Sequence, residues 1–237
     1  MSRVFLRRKI APRIQNGHPW IFMNEVDRIE GSPEPAAIVE VFTHDSKWVG
    51  SGYYNPKSQI VVRILSRQKG EVIDAHFFKE RIKRCWQYRQ QTGYTENCRL
   101  VFGEADELPQ LIIDKFNDYF VIQTLALGID RWKPEIVDAL QELFSPKGIY
   151  ERNDVPVREL EGLPQQKGFL SAPFETKIII TENGLKFYVD LANGQKTGYF
   201  LDQQDNRTAI RSIVKNATVS SFVIENCTNS VIKFKNA

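Results

Sequence analysis

The run from Gly184 to Arg207 constrains the fold of this chain more than any other, and it reads GLKFYVDLANGQKTGYFLDQQDNR. Its pattern predicts two short strands, Lys186–Leu191 and Gly198–Leu201, on either side of a turn. Asp202 then stands where a helix should begin, and its carboxylate is suited to cap the first helical turn. A turn that carries Lys and Thr beside a helix start suits an anionic ligand, although such turns are more often purely structural.

The same run resembles a segment of the RlmI-like bacterial 23S rRNA (cytosine-C5) methyltransferases, whose pattern is close to GLKF-x-VDL-x-x-GQKTG-[FY]-FLDQR-x-NR. One position departs from it, because Gln204 stands where arginine is usual. In that family the run opens the catalytic domain and leads into the Gly-rich loop that binds S-adenosylmethionine. The resemblance implies that five side chains lie at the edge of a cofactor site: Gln195, Lys196, Thr197, Phe200 and Asp202.

Composition excludes some classes of protein. The chain has 42% hydrophobic and 26% charged residues, as globular proteins do. It contains neither an apolar run long enough to span a bilayer nor a signal-like start, so we expect a cytoplasmic protein. Cys85, Cys98 and Cys227 are widely spaced and form no C-x-x-C pair, which argues against disulfides and against a metal site.

The N-terminal stretch is locally basic, although the net charge of the whole chain is only +3. Five arginines and lysines precede Ile14, and no acidic residue appears before Glu25. Such a cluster can contact phosphates. Predicted strands at residues 37–43, 47–54 and 59–65, separated by turn residues, indicate a small β-barrel.

Two motifs in this region, GHPWIF at residues 17–22 and GYYNPKSQI at residues 52–60, are similar to the N-terminal PUA domain of the same family. PUA domains are small β-barrels that bind RNA. The resemblance implies an RNA-facing surface and a 23S rRNA partner. The alternative is that the aromatic residues are core and the charges only solvated. The RNA-facing candidates are Arg7, Lys9, Arg13, His18, Trp20 and Arg63.

The middle of the chain predicts an α+β domain. Asp74 is placed to cap a helix from Ala75 to Gln91, and strands are expected at residues 98–103, 109–114, 118–126 and 149–152. A second helix should carry Pro134 in its first turn, with Asp130 or a neighbour as its cap.

Two segments here, FGEADELPQLIID at residues 102–114 and GIYERNDVPVRELEGL at residues 148–163, resemble the central domain of the family. In the first of them Gln110 replaces a usual glycine. We interpret the charged residues of these segments as solvated or ion-paired, because turn acids beside strands seldom carry chemistry and the family assigns none to this domain. They are Glu104, Asp106, Glu151, Arg152 and Asp154.

The chain after Ala217 contains no glycine, so the Gly-rich cofactor loop of the family has no counterpart there. The catalytic cysteine motif is also missing, and Cys227 is not assigned that role. We therefore expect four parts: a PUA-like domain at residues 1–72, a central α+β domain at 73–175, the opening hairpin and helix of an α/β Rossmann-like methyltransferase domain at 176–217, and a tail unlike the family at 218–237.

The resemblance places the chain among S-adenosylmethionine-dependent rRNA methyltransferases, in a form that is catalytically incomplete. We expect no cofactor binding by this chain alone, no membrane association, and neither catalytic nor metal-binding residues. The alternatives are an RNA-binding module without enzymatic activity and a scaffold for a separately encoded catalytic half. The oligomeric state stays open, with a homodimer among the alternatives.

Overall fold

The computed structural model describes residues 1–209, which form two larger β-sheets, flanking helices and a hairpin. The first sheet has six strands in the order β2-β6-β5-β4-β1-β3. A short helix, α1 (Pro12–Gln15), lies between β1 and β2 along the chain. The strands are β1 (Arg3–Leu6), β2 (Trp20–Phe22), β3 (Val26–Glu30), β4 (Ile38–Phe42), β5 (Trp48–Tyr54) and β6 (Ile60–Ser66).

This first sheet is a half-barrel rather than a closed barrel, because β2 and β3 remain as its edges. Register shifts interrupt the pairings β1–β3, β2–β6, β4–β5 and β5–β6, and such bulges bend and twist strands. The buried side chains of the sheet, among them Val4, Ile21, Val39 and Val62, form one hydrophobic cluster. The strands predicted in this region are confirmed.

The second sheet has five strands in the order β11-β10-β9-β8-β7. Strands β9 and β10 pair in parallel, because two helices, α3 (Leu127–Arg131) and α4 (Lys133–Phe144), carry the chain back between them. The other pairings are antiparallel. The strands are β7 (Asn97–Phe102), β8 (Leu111–Phe116), β9 (Tyr119–Thr124), β10 (Gly148–Asn153) and β11 (Gln166–Phe169). A short helix, α5 (Val157–Leu160), lies between β10 and β11 along the chain.

The second sheet is covered on both faces. Alternate residues of its strands point to opposite sides, so Phe120 and Ile122 join the core beneath the helices while Val121 faces the other way. Helix α2 (Ala75–Gln91) packs on the helical side together with α4. Its first turn is capped as predicted, because the Asp74 carboxylate accepts a hydrogen bond from the backbone N–H of Phe77.

The opposite face is covered by a hairpin of two strands, β12 (Lys177–Glu182) and β13 (Leu185–Asp190). Asn183 and Gly184 form its turn with φ of 51° and 79°. Positive φ at both positions is the geometry of the two-residue turns that best match strand twist, and Asn-Gly favours it. Of the hairpin predicted from the sequence only the strand at Lys186–Leu191 is found, as β13, and its partner is β12 rather than Gly198–Leu201.

The strand predicted at Gly198–Leu201 is wrong. The chain there forms turns, and a 3-10 turn spans Leu201–Gln203 before the short helix α6 (Gln204–Ala209). Gly198 has φ of 126°, which is not a strand conformation. Asp202 accordingly lies inside the 3-10 turn and not at a helix cap, and its carboxylate accepts hydrogen bonds from Lys196.

Asp130 does not cap α4 either. Trp132 occupies the N-cap position without a side-chain hydrogen bond, while Asp130 lies in α3. Its carboxylate instead accepts hydrogen bonds from the Thr124 hydroxyl and the Arg158 guanidinium. Pro134 does lie in the first turn of α4, as expected.

Gln110 has φ of 65°, which lies in the left-handed region that glycine enters without strain. This conformation gives a physical reason for glycine at the corresponding position of the resembled family. The amide of Gln110 donates to the Glu104 carboxylate at 2.9 Å, so the substituted side chain has gained a local partner.

Both described cysteines are buried. Burial raises the pKa of the Cys85 thiol to about 12 and that of Cys98 to about 11, so both are protonated at neutral pH. Within residues 1–209 no helix is long and apolar enough to cross a bilayer. Cys227, the apolar positions Ile210, Ile213 and Val214, and the tail at 218–237 lie outside the described residues.

Candidate functional site

The basic N-terminal residues form an exposed loop between β1 and α1. Arg7, Arg8 and Lys9 are all exposed, and Arg7 is steadied by a hydrogen bond from its Nε to the carbonyl of Val26 at 3.3 Å. Within residues 1–209 no carboxylate lies within ion-pairing distance of these three side chains. They therefore offer three unpaired positive charges to a polyanion.

Arg13, His18 and Trp20 are half-buried and already have partners. Arg13 donates to the Trp20 carbonyl and the Glu25 carboxylate, and its guanidinium lies 4.8 Å from the centre of the Phe22 ring. His18 contacts the Trp20 ring edge to face at 5.0 Å. The polar atoms of these side chains are therefore partly occupied by contacts within the protein.

Trp20 connects the two larger sheets. Its indole Nε1 donates to Oε1 of Glu104 at 2.7 Å, across 84 positions of sequence. Glu104 also accepts from Gln110, which fixes the carboxylate. The other four charged residues that the sequence analysis interprets as solvated or ion-paired also have partners, since Asp106 pairs with Arg89, Glu151 with Lys133, and Arg152 with Asp154.

Arg63 lies at a buried junction and does not reach the surface. Its side chain is 4% exposed and forms a two-pronged ion pair with Glu161, with Nη2 to Oε1 at 2.7 Å and Nη1 to Oε2 at 3.0 Å. Asn55 and Ser58 donate to the same carboxylate. The guanidinium of Arg63 is therefore not exposed for the RNA contact that the resemblance implies.

The environment of Glu161 favours its charged form. Burial alone raises the pKa of a carboxyl, but the Arg63 guanidinium and the hydrogen bonds from Ser58 and Asn55 outweigh it and hold the pKa of Glu161 below its usual range. Both carboxylate oxygens of Glu161 accept hydrogen bonds from this cluster. The cluster therefore joins residues 55–63 of the first sheet to Glu161, which follows the short helix after β10.

The turn between β13 and α6, residues 191–198, is fastened to the second sheet by Arg152. Its Nη1 donates to the carbonyls of Leu191 and Gly194, both at 3.0 Å, and its Nε donates to Asp154 at 2.9 Å. Gly194 has no room for a side chain, since a Cβ there would lie 2.4 Å from the carbonyl oxygen of Gly198. We call this fastened segment the 191–198 loop.

A second fastening of the 191–198 loop runs through Thr197, which is fully buried. Its hydroxyl donates to Asp114 of β8, and Asp114 is itself fully buried and paired in two-pronged fashion with Arg99 at 2.9 and 3.0 Å. Thr197 therefore points into the protein and not towards a ligand.

Lys196 and Asp202 form the exposed rim of the loop. Their side chains are 43% and 55% exposed and pair at 3.3 Å, while the Lys196 ammonium lies 4.5 Å from the centre of the Phe200 ring. Slight burial raises the pKa of Asp202, but the Lys196 hydrogen bond and charge prevail and lower it below the usual value. The Asp202 carboxylate is therefore charged at neutral pH.

These residues fit S-adenosylmethionine only in part. A lysine ammonium and an aspartate carboxylate match the carboxylate and ammonium of its methionine end. The other cofactor-edge candidates contribute less, because Thr197 is turned inward and Gln195 is half-buried. Lys196, Phe200 and Asp202 could border a bound cofactor.

Asp114, Glu161 and the anchoring role of Arg152 were missed by sequence reasoning. Each of these residues forms a hydrogen bond with a residue at least 39 positions away in the sequence, so no local sequence pattern could predict it. Among residues 1–209 no cluster of three or more His, Cys, Asp or Glu side chains could hold a metal ion.

The first sheet and its basic loop define a PUA-like class of domain. A family model described as "PUA-like domain" matches residues 4–67, which coincides with strands β1 to β6.

Relatives that match far more of the chain are ribosomal RNA large subunit methyltransferases I. The protein from Aliivibrio fischeri (strain ATCC 700601 / ES114) is 39% identical over 225 residues, which is 91% of this chain and 56% of the relative. The protein from Vibrio vulnificus (strain YJ016) is 41% identical over 226 residues, 92% of this chain and 56% of the relative. The chain thus spans about half the length of the curated relatives it matches, and it is homologous to their N-terminal part.

Solved structures support the fold. A Streptococcus mutans protein, provisionally described as a SAM-dependent methyltransferase, matches with a TM-score of 0.70 at 18% identity, over 89% of this chain and 54% of its own. A second structure, of a protein provisionally described as a methyltransferase and complexed with SAH, gives a TM-score of 0.71 at 18% identity, over 89% of this chain and 53% of its own. At this identity the likeness concerns the α+β fold alone.

Proposed function

We propose that this chain binds ribosomal RNA of the large subunit through its PUA-like domain, as the RNA-recognition half of a cytosine-C5 methyltransferase system in the cytoplasm. The observation that carries the proposal is the unpaired basic loop Arg7–Lys9 on a domain matched by the PUA-like family model. Homology to the N-terminal part of rRNA methyltransferases gives the class of RNA. Arg13, His18 and Trp20 would border this contact, and Arg63 would support it from the interior.

The domain boundaries at residues 72, 175 and 217 remain part of this proposal. The first is supported by the interval between the end of the first sheet at Ser66 and the start of the second at Asn97, whereas residue 217 lies outside the described residues. The alternatives are a non-enzymatic RNA-binding module and a scaffold for a separate catalytic half. The proposed function and both alternatives include RNA binding. They differ in whether further protein residues complete a cofactor site around Lys196, Phe200 and Asp202.

RNA binding is tested by removing the charge of the basic loop. The triple variant Arg7→Gln, Arg8→Gln, Lys9→Gln should bind a large-subunit rRNA fragment more weakly than the parent chain. The slope of log K against log salt concentration should become shallower by roughly 2, because each phosphate contact to a single strand contributes about 0.7. Fluorescence anisotropy across a salt series measures both quantities.

A matched control removes three exposed lysines elsewhere, Lys47→Gln, Lys69→Gln and Lys147→Gln. It should leave affinity and slope close to those of the parent. Equal losses in both triple variants would mean that binding follows overall charge, and the proposed surface would be wrong.

Cofactor binding separates the enzymatic and non-enzymatic alternatives. Calorimetric titration of the full chain with S-adenosylmethionine should give no heat of binding in the micromolar range, because the Lys196–Asp202 rim is exposed on the surface of the described residues. Micromolar binding that is lost in the Lys196→Gln variant would show that the rim is part of a complete pocket. The non-enzymatic alternative would then be excluded.

A further inference from the structure

The outer face of the β12–β13 hairpin carries large exposed side chains that the proposed function has not used. Along each strand one set of residues is buried against the second sheet, for example Ile178, Ile180 and Val189. The alternate set points outward, and we call it the hairpin face: Lys177, Ile179, Thr181, Lys186 and Tyr188. Tyr188 is 79% exposed and Ile179 is 46% exposed, so the centre of the face is open.

The register of the hairpin sets the layout of this face. Ile179 lies directly opposite Tyr188, so the aromatic ring and the aliphatic side chain form one small apolar platform. Lys186 lies two residues from Tyr188 on the same strand, and Lys177 lies two residues from Ile179 on the other. At about 3.3 Å per residue the two lysines stand roughly 13 Å apart along the hairpin, one at each end of the platform.

Two lysines, Lys177 and Lys186, and one carboxylate, that of Asp190 opposite Lys177, lie on this side of the hairpin, so its net charge is positive. Within residues 1–209 no carboxylate lies within ion-pairing distance of Lys177 or Lys186. Asp190, which stands opposite Lys177, is occupied: its Oδ1 accepts the backbone N–H groups of Ala192 and Asn193. Two further acids are nearby: Glu182 is buried on the other side and pairs with Arg207, and the Glu175 carboxylate accepts the backbone N–H of Lys177. Both ammonium groups are therefore free to meet an anion.

We propose that the hairpin face is a second contact surface for single-stranded RNA. Tyr188 stacks on an unpaired base above Ile179, and Lys177 and Lys186 contact phosphates on either side. Proteins bind single-stranded nucleic acid by combining aromatic rings, which stack on the unpaired bases, with basic side chains, which contact the phosphates. An exposed tyrosine between two lysines provides both kinds of contact. The inference rests on the proposed RNA binding and extends it to a distinct element of the fold.

The charge complementarity favours RNA over a protein partner. The apolar part of the face consists of two side chains only, and cations flank it on both sides. A stable protein interface needs a larger apolar centre from which lysine is usually depleted. Base-paired RNA is disfavoured as well, because its stacked bases cannot lie on Tyr188.

The test uses the full chain and fluorescently labelled single-stranded RNA in anisotropy titrations. Tyr188→Ala should weaken binding roughly 5- to 150-fold, the range for loss of one stacked base, with the salt slope unchanged. Tyr188→Phe keeps the ring and should bind like the parent. The double variant Lys177→Gln, Lys186→Gln should instead make the slope shallower by about 1.4.

Tyr88→Ala is the matched control, because Tyr88 is an exposed tyrosine (55%) on α2. It should bind RNA like the parent. If Tyr188→Ala also binds like the parent while the Arg7–Lys9 triple variant does not, the hairpin face is not an RNA contact and the proposed function stands. If the parent chain binds no RNA, both fail. A change of molecular mass in light scattering on Tyr188→Ala, without a change in RNA affinity, would assign the face to a protein contact and overturn the inference.

Discussion

Replacing Glu161 with alanine should lower the free energy of unfolding by about 3–5 kcal/mol, which is the range for removing one partner of a buried ion pair. The substitution leaves the guanidinium of Arg63, 4% exposed, without its carboxylate, and it also removes the acceptor for Asn55 and Ser58. Urea unfolding followed by circular dichroism at neutral pH measures the loss.

The control is Glu159→Ala, since Glu159 is an exposed acid two residues earlier that accepts a hydrogen bond from Gln165. A surface change of this kind should stay within about 0.5 kcal/mol of the parent. If the two variants were equally stable, the ion pair between Arg63 and Glu161 would contribute little, and the two sheets would be held by their other contacts, such as the hydrogen bond from Trp20 to Glu104.

The same ion pair makes stability depend on pH. The folded pKa of Glu161 is lower than its unfolded value of about 4.5, so the unfolded chain binds a proton more readily. The stabilisation is therefore complete above about pH 4.5 and is lost as the pH falls through the lower folded pKa. A Glu161→Gln variant lacks this titration. The stability gap between parent and variant should narrow below pH 4.5.

Replacing Arg152 with alanine should release the 191–198 loop. The guanidinium is 9% exposed and provides hydrogen bonds to the carbonyls of Leu191 and Gly194, and charged hydrogen bonds are worth about 1.5–3 kcal/mol each. We expect a loss of about 2–4 kcal/mol in stability, with faster amide exchange concentrated in the loop. Hydrogen exchange with mass spectrometry resolves the loop from the rest.

Asp154→Ala is the control for Arg152, because it removes only the carboxylate that receives Nε and leaves both loop carbonyls bonded. Exchange in the loop should then stay close to that of the parent. Unchanged loop protection in Arg152→Ala would mean that the second fastening, from Thr197 to Asp114, holds the loop without help.

These buried ion pairs and hydrogen bonds matter for function because they fix the positions of the residues proposed to contact RNA and cofactor. The ion pair of Arg63 and Glu161 and the hydrogen bond from Trp20 to Glu104 hold the PUA-like sheet against the second sheet. Arg152 and Asp114 hold the loop that carries Lys196 to the same second sheet. The second sheet therefore sets the position of the basic loop relative to the cofactor rim.

The sequence by itself determined most elements of the described fold. Strand-like runs separated by turn residues predicted β4, β5 and β6 of the first sheet, but not β2 or β3, and Asp74 marked the start of α2. The Asn183–Gly184 pair, which the sequence analysis did not single out, favours the turn of the hairpin. These signals are local, because a cap, a turn or an alternating strand depends on residues a few positions apart. The motifs at residues 17–22 and 52–60 indicated the PUA-like domain in the same way.

Only the tertiary structure decided which charged residues face outward. Arg63 and Arg7 look alike in the sequence, yet Arg63 meets Glu161 across 98 positions and is buried while Arg7 stays exposed. The strand expected at Gly198–Leu201 became a turn because long-range partners, Arg152 and Asp114, hold the segment before it. Burial and pairing at such separations are products of packing, and no periodicity along the chain encodes them.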